Sequence, residues 1–174
     1  MIYNLTVEDR LNIISEKLKF QDNFLDKDLI ESLHNKLTDP QCPWTLHFTW
    51  QESENTFWHC KLEESDVFKD EVQYLKNFIK QPVIRIYANG QTYTQHGDFH
   101  HDDGQETILI GINKEFNAVQ GGGTEFLINN NCSYVIYPIY NRAIFFDAQL
   151  QHRALPTLNK MFRITLAIKT GYDK

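Results

Sequence analysis

Apolar residues in the first eighty positions recur three and four apart; beyond residue 82 they recur two apart. In TVEDRLNIISEKLKF (6–20), Leu11, Ile14 and Leu18 fall on one face of a helix that Thr6 can cap. FLDKDLIESLHNKL (24–37) repeats the pattern with Leu25, Leu29, Ile30, Leu33 and Leu37, and Asp39-Pro40 stops it. WTLHFTW (44–50) alternates and is rich in β-formers, which predicts a strand. VFKDEVQYLKNFIK (67–80) then sets Val67, Phe68, Val72, Leu75 and Phe78 on a helical stripe that Pro82 closes.

From residue 83 the runs are short and β-rich: VIRIYA, TYTQHGDFH, TILIGI, TEFLI, SYVIYP, RAIFFD and FRITLAIK, divided by Gly, Asn, Asp and Pro. Successive strands without intervening helices predict an antiparallel sandwich or barrel of the jelly-roll kind, with the earlier helices on one face. The expected class is α+β, mainly β. Residues 1–174 read as one domain, with 1–82 a helical support region carrying one strand and 83–174 the β core.

Composition narrows the function. A net charge of −6 with no basic run argues against a nucleic-acid partner, which needs Lys and Arg to displace counterions. Cys42, Cys60 and Cys132 are odd in number, widely spaced and free of any C-x-x-C, so they read as reduced thiols of a cytoplasmic protein. The N-terminus lacks the pattern of a secretory signal, and no apolar run reaches membrane-spanning length.

The chemistry concentrates in GQTYTQHGDFHHDDGQET (90–107), where His96, Asp98, His100, His101, Asp102 and Asp103 crowd eight positions. Alone, this reads more readily as a hydrated loop. Two residues apart on a strand, His100 and Asp102 would share a face just before the Asp103-Gly104 turn. His152 follows fifty residues after Asp102, and Arg163 eleven after that. Two imidazoles and a carboxylate on one side of a metal leave positions open for a chelating 2-oxo acid and dioxygen. The far carboxylate of such an acid needs a charged anchor, and a planar guanidinium pairs with it bidentately. Thr165 shares the strand face of Arg163.

The order H-x-D, GGGTEF (121–126), NRAIFFDAQLQHRA (141–154) and RITLAIK (163–169) resembles the 2-oxoglutarate- and iron(II)-dependent dioxygenases, above all their small prolyl-4-hydroxylase-like members of bacterial and phage type. The likeness spans residues 83–170. It implies a double-stranded β-helix core, iron(II) held by His100, Asp102 and His152, and 2-oxoglutarate held by Arg163. Thr165 and either Tyr87 or Tyr93 would assist, with ascorbate as accessory reductant. The implied reaction takes molecular oxygen, releases succinate and carbon dioxide, and hydroxylates an unactivated C–H bond of a prolyl residue in a peptide or protein, of free proline, or of another small molecule.

Three H-x-D triplets compete for the iron. His96-Gly97-Asp98 keeps the Tyr-x-x-His-x-Asp spacing of prolyl hydroxylases from Tyr93. His100-His101-Asp102 keeps the spacing of the small relatives through Tyr93 and Gly97, and is the pair the resemblance favours. His101-Asp102-Asp103 is the third. Two departures stand out. Relatives often carry a tyrosine near the end of the strand where this chain has Gly111, and nucleic-acid demethylases of the superfamily carry a second arginine where it has Lys169. His34, His47 and His59 read as surface or packing residues, and Thr124 and Glu125 as candidates for the pocket mouth. The competing reading from another class is a non-catalytic jelly-roll module that binds metal or a partner.

Overall fold

The computed structural model describes residues 17–48, 55–129 and 132–172. Along the chain run β1 (Leu18–Gln21), α1 (Lys27–Thr38), β2 (Thr45–Phe48), β3 (Thr56–Lys61), α2 (Lys69–Phe78), β4 (Val83–Gln91), β5 (Glu106–Gly111), β6 (Thr124–Asn129), β7 (Cys132–Ile136), β8 (Ala143–Asp147), β9 (His152–Ala154) and β10 (Arg163–Thr170). Seven strands pair in the order β1-β8-β5-β10-β4-β3-β2, and three in the order β7-β6-β9. The mainly β architecture is the expected one.

Period-two alternation divides the large sheet into two environments. Ile86 and Ala88 of β4, Ile108 and Ile110 of β5, and Ile164, Leu166 and Ile168 of β10 point to the helices. There they meet Leu29, Ile30, Leu33 and Leu37 of α1, with Val72 and Leu75 of α2. Each Leu or Ile fully buried in this way contributes about 1.5–3 kcal/mol. Asp26 caps α1 by accepting the Leu29 N–H at 2.9 Å. The alternate residues face the small sheet, and a smaller core of Leu109, Phe126, Ile128, Ile144, Phe146 and Leu150 closes one part of that space. The rest is a pocket.

Several local expectations give way to tertiary pairing. Leu18–Phe20, expected at the end of a helix over 6–20, form β1 against β8, with Leu18 opposite Phe146; residues 6–16 lie outside those described. A sheet edge with open hydrogen-bonding groups outweighs a marginal helical preference. TYTQHGDFH is not a strand. It is a long connection tied down by isolated bridges, Tyr93 to Thr157 and His100 to His152. On the α2 stripe, Val67 is 52% exposed because Asp66–Phe68 form a separate 3-10 turn before the helix. Among the described residues, the first 82 positions supply three strands where one was expected, since β1 and β3 join β2. Trp50 is outside the described residues. Among those described, no helix is long and apolar enough to cross a membrane.

Candidate active site

Register across β10 lays out the pocket. Arg163 lies opposite Gln91, and Thr165 lies between Asn89 and Gly111. Ala167 is flanked by Tyr87 and Leu109, and Lys169 by Arg85 and Thr107. All four β10 side chains line a cavity of about 480 Å³ between the sheets.

His152 opens β9, and its backbone exchanges two hydrogen bonds with His100, at 3.0 and 3.1 Å. This pairing holds the two imidazoles 4.4 Å apart, centroid to centroid. Asp102 is anchored by its own N–H, which donates to Ala148 O at 2.8 Å. Its Oδ1 lies 3.8 Å from His100 Nε2 and its Oδ2 3.3 Å from His152 Nε2. One ligand atom from each residue falls within 4.8 Å of the others, the one such cluster among the described residues.

The donor chemistry fits a divalent metal. His100 Nδ1 sits 2.9 Å from Asp98 O, and His152 Nδ1 2.9 Å from Leu150 O. A carbonyl can only accept, so each Nδ1 carries the proton and each Nε2 presents its lone pair. Phe126 and Phe146 pack against the His152 ring, stacked at 5.9 Å and edge-on at 4.7 Å. Burial pushes the His152 pKa down to about 4, with His100 and Lys169 adding to the fall against an opposing pull from Asp102. Neutral His152 is the form that can ligate a metal. Burial alone would raise the Asp102 pKa, but the charges of Lys169 and His152 outweigh it and hold the carboxyl below its ordinary value.

The other triplets do not converge. His96 is exposed, and Asp98 accepts from Asn55 Nδ2 at 3.0 Å. His101 Nδ1 bonds Gln149 O at 2.7 Å, and Asp103 pairs with Arg85 at 3.0 Å.

Arg163 is 2% exposed and has no carboxylate partner among the described residues. Its Nε donates to Gly122 O at 2.6 Å, Nη1 to Gln91 Oε1 at 2.7 Å and Nη2 to Thr124 Oγ1 at 3.0 Å. Three of five N–H groups are thus used, all on neutral acceptors. Burial draws its pKa down to about 10, and at neutral pH it is a cation buried without an anion. Gly122 can offer its carbonyl here because its φ is +70° and an added Cβ would press on the Arg163 side chain.

The helper positions separate. Thr165 is buried in the pocket wall and the Tyr87 side chain lines it, whereas Tyr93 is 56% exposed with its backbone bridged to Thr157. Gly111 has no room for any side chain, because a Cβ would run into the carbonyls of Pro138 and Ile139. Of the neighbouring pair, Phe146 lines the pocket and Phe145 packs toward the helices. Thr124 lines it too, while Glu125 pairs with Arg153 at 2.7 Å.

Sequence reasoning missed four contributors. His47, exposed as a surface residue, and His59, packed between His47 and Tyr87, also line the rim of the pocket. Gln91 holds Arg163, and nothing local marks it, since its role comes from register with a strand over seventy residues away. Lys169 pairs with Asp102. Its signal was present, because it alternates in phase with Arg163.

The sequence profile of the 2OG-Fe(II) oxygenase superfamily matches residues 82–168, half of the chain. No curated protein matches it in sequence. Among solved structures, it is similar to a Trichoplax adhaerens prolyl hydroxylase in complex with a hypoxia inducible factor oxygen degradation domain peptide. That match has 13% identity and a TM-score of 0.72, over 92% of this chain and 86% of the other. A Pseudomonas putida prolyl-4-hydroxylase aligns at 12% identity and TM-score 0.68, over 93% and 97%. HygX from Streptomyces hygroscopicus, with nickel and 2-oxoglutarate bound, aligns at 11% and 0.62, over 94% and 86%. At such identities the likeness is one of fold.

Proposed function

This chain belongs to the 2OG-Fe(II) oxygenase superfamily and is a 2-oxoglutarate- and iron(II)-dependent dioxygenase; from that premise we propose that it hydroxylates a prolyl residue in a peptide or protein. In this reading His100, Asp102 and His152 hold iron(II). Arg163, with Thr165, holds the distal carboxylate of 2-oxoglutarate. The observation that carries it is the buried guanidinium of Arg163, without a carboxylate partner among the described residues, in the same pocket as two imidazoles whose Nε2 atoms face a carboxylate. Membership of this superfamily supports the enzyme over the non-catalytic module.

Iron(II) and 2-oxoglutarate, when bound, supply the oxidising power: dioxygen is consumed, succinate and carbon dioxide are released, and hydroxyl is delivered to carbon. The chain does the rest. Phe126 and Phe146 keep the His152 side of the site dry and fix its ring. Gln91, Thr124 and Gly122 O hold the Arg163 fork ready for a planar dianion.

The prolyl substrate is supported by the rim. Phe57, His59 and Tyr87 line the pocket, an aromatic surround that suits a pyrrolidine ring, and His59 and Tyr87 lie 4.8 Å apart. Beyond them β2 is the outermost strand of its sheet, exposed along its whole length, and an extended peptide can use such an edge. Structural neighbours that are prolyl hydroxylases, one holding a peptide, point the same way.

The test is succinate formation from 2-oxoglutarate under air with ferrous iron, with capped proline peptides, their alanine counterparts and free L-proline. The reading expects succinate stimulated by the proline peptides, and product peptides one oxygen atom heavier. Succinate without that stimulation would contradict the substrate; no succinate under any condition would contradict the assigned site.

A further inference from the structure

Resting on the metal site just proposed, we infer that Lys169, together with Thr107, is a positioning residue that clamps one oxygen of Asp102 and leaves the other for the metal. Lys169 is 1% exposed at the inward face of β10, between Arg85 and Thr107 in register. Its ammonium pairs with Asp102 Oδ2. It also donates to Thr107 Oγ1 at 3.1 Å and lies 5.6 Å from the centre of the Tyr87 ring. Thr107 Oγ1 in turn donates to Asp102 Oδ2 at 2.7 Å.

Lys169, Thr107 and Asp102 therefore close a triangle, and both side-chain donors fall on the same carboxylate oxygen. The other oxygen, Oδ1, takes neither donor and lies 3.8 Å from His100 Nε2, while Oδ2 also lies 3.3 Å from His152 Nε2. A carboxylate so held cannot rotate about its last bond without giving up two buried, charge-assisted hydrogen bonds, one of them an ion pair. It would offer a bound metal one oxygen rather than two, which would leave more room at that metal for a 2-oxo acid. The ammonium has a second effect. It offsets the charge of the only anionic ligand, so the loaded site keeps more positive charge for an incoming dianion. An exposed lysine would serve a surface ion pair; this one is delivered by the sheet to a single buried oxygen.

Cobalt(II) is a suitable probe, because its visible absorption reports coordination number without turnover. Metal affinity, the cobalt spectrum and 2-oxoglutarate affinity of the cobalt-loaded protein would be compared for wild type, Thr107→Val and Lys169→Met. Thermal melting of the metal-free proteins checks folding. Thr107→Val is nearly isosteric and carries the test if Lys169→Met does not fold.

The clamp predicts an altered cobalt spectrum in both variants before any 2-oxoglutarate is added. It also predicts about 10-fold weaker cobalt binding in Thr107→Val and weaker 2-oxoglutarate binding in Lys169→Met. Wild-type spectra and affinities in both variants overturn the clamp and leave the metal site standing. A wild-type spectrum in Lys169→Met with weakened 2-oxoglutarate binding overturns it in favour of direct contact between Lys169 and the keto acid. Failure of the wild type to bind cobalt overturns both the clamp and the site.

Discussion

Two backbone carbonyls, Asp98 O and Leu150 O, decide which nitrogen each imidazole of the site offers. The carboxylate is governed by its neighbours in the same way. Asp102 and Lys169 have side chains 6% and 2% exposed, so each is costly to strand. Asp102→Asn keeps the shape, removes the carboxylate charge and leaves Lys169 a buried cation without its anion. Metal-free Asp102→Asn should lose about 3 kcal/mol in urea unfolding, and its melting temperature should no longer rise with added manganese(II). A variant as stable as wild type would mean that the pair is solvated. Residues at this scale were unevenly legible. His152 and Arg163 announced themselves by order and spacing. Asp102 had to be chosen among three candidates that only folding separates.

At the scale of elements, β10 places the chemistry, because one strand carries the helix-facing core on one side and Arg163, Thr165 and Lys169 on the other. Alternation made that strand readable in the sequence. The same logic failed on 92–100, where β-rich composition stands on a connection held by two bridges. It could not reveal β9, which is three residues long and exists through pairing with β6. Register is non-local, so Gln91 opposite Arg163 was invisible. At Gly111 the strand departs from relatives that carry a tyrosine nearby, and the crossing of residues 138–139 over its α-carbon supplies the reason. Gly111→Ala should destabilise by about 1–3 kcal/mol through overpacking, measured by chemical denaturation. No change would show that this crossing yields easily.

Across the whole molecule, one buried imidazole and one half-buried imidazole make metal-free stability depend on pH. Burial, aided by the charges of His47, Arg85 and Lys61, draws His59 down to about 4 from 6.5, and His152 falls to a similar value. Both are neutral in the folded chain where the unfolded chain is protonated, so the unfolded state binds more protons between pH 6.5 and 4. Stability should therefore fall as pH falls through that window and gain nothing from these groups above it. His59→Gln should flatten part of the slope. An unchanged slope would show that His59 is protonated freely in the folded state.

The central claim is that Arg163 is a cation kept for the far carboxylate of a keto acid. Calorimetric titration of 2-oxoglutarate into the manganese(II)-loaded protein tests it most directly, with wild type beside Arg163→Gln. The account predicts saturable binding to wild type and affinity weaker by about 30-fold or more in the variant, the loss expected when a buried charge loses its partner. Equal affinity in the two proteins, or no binding to wild type, would contradict it.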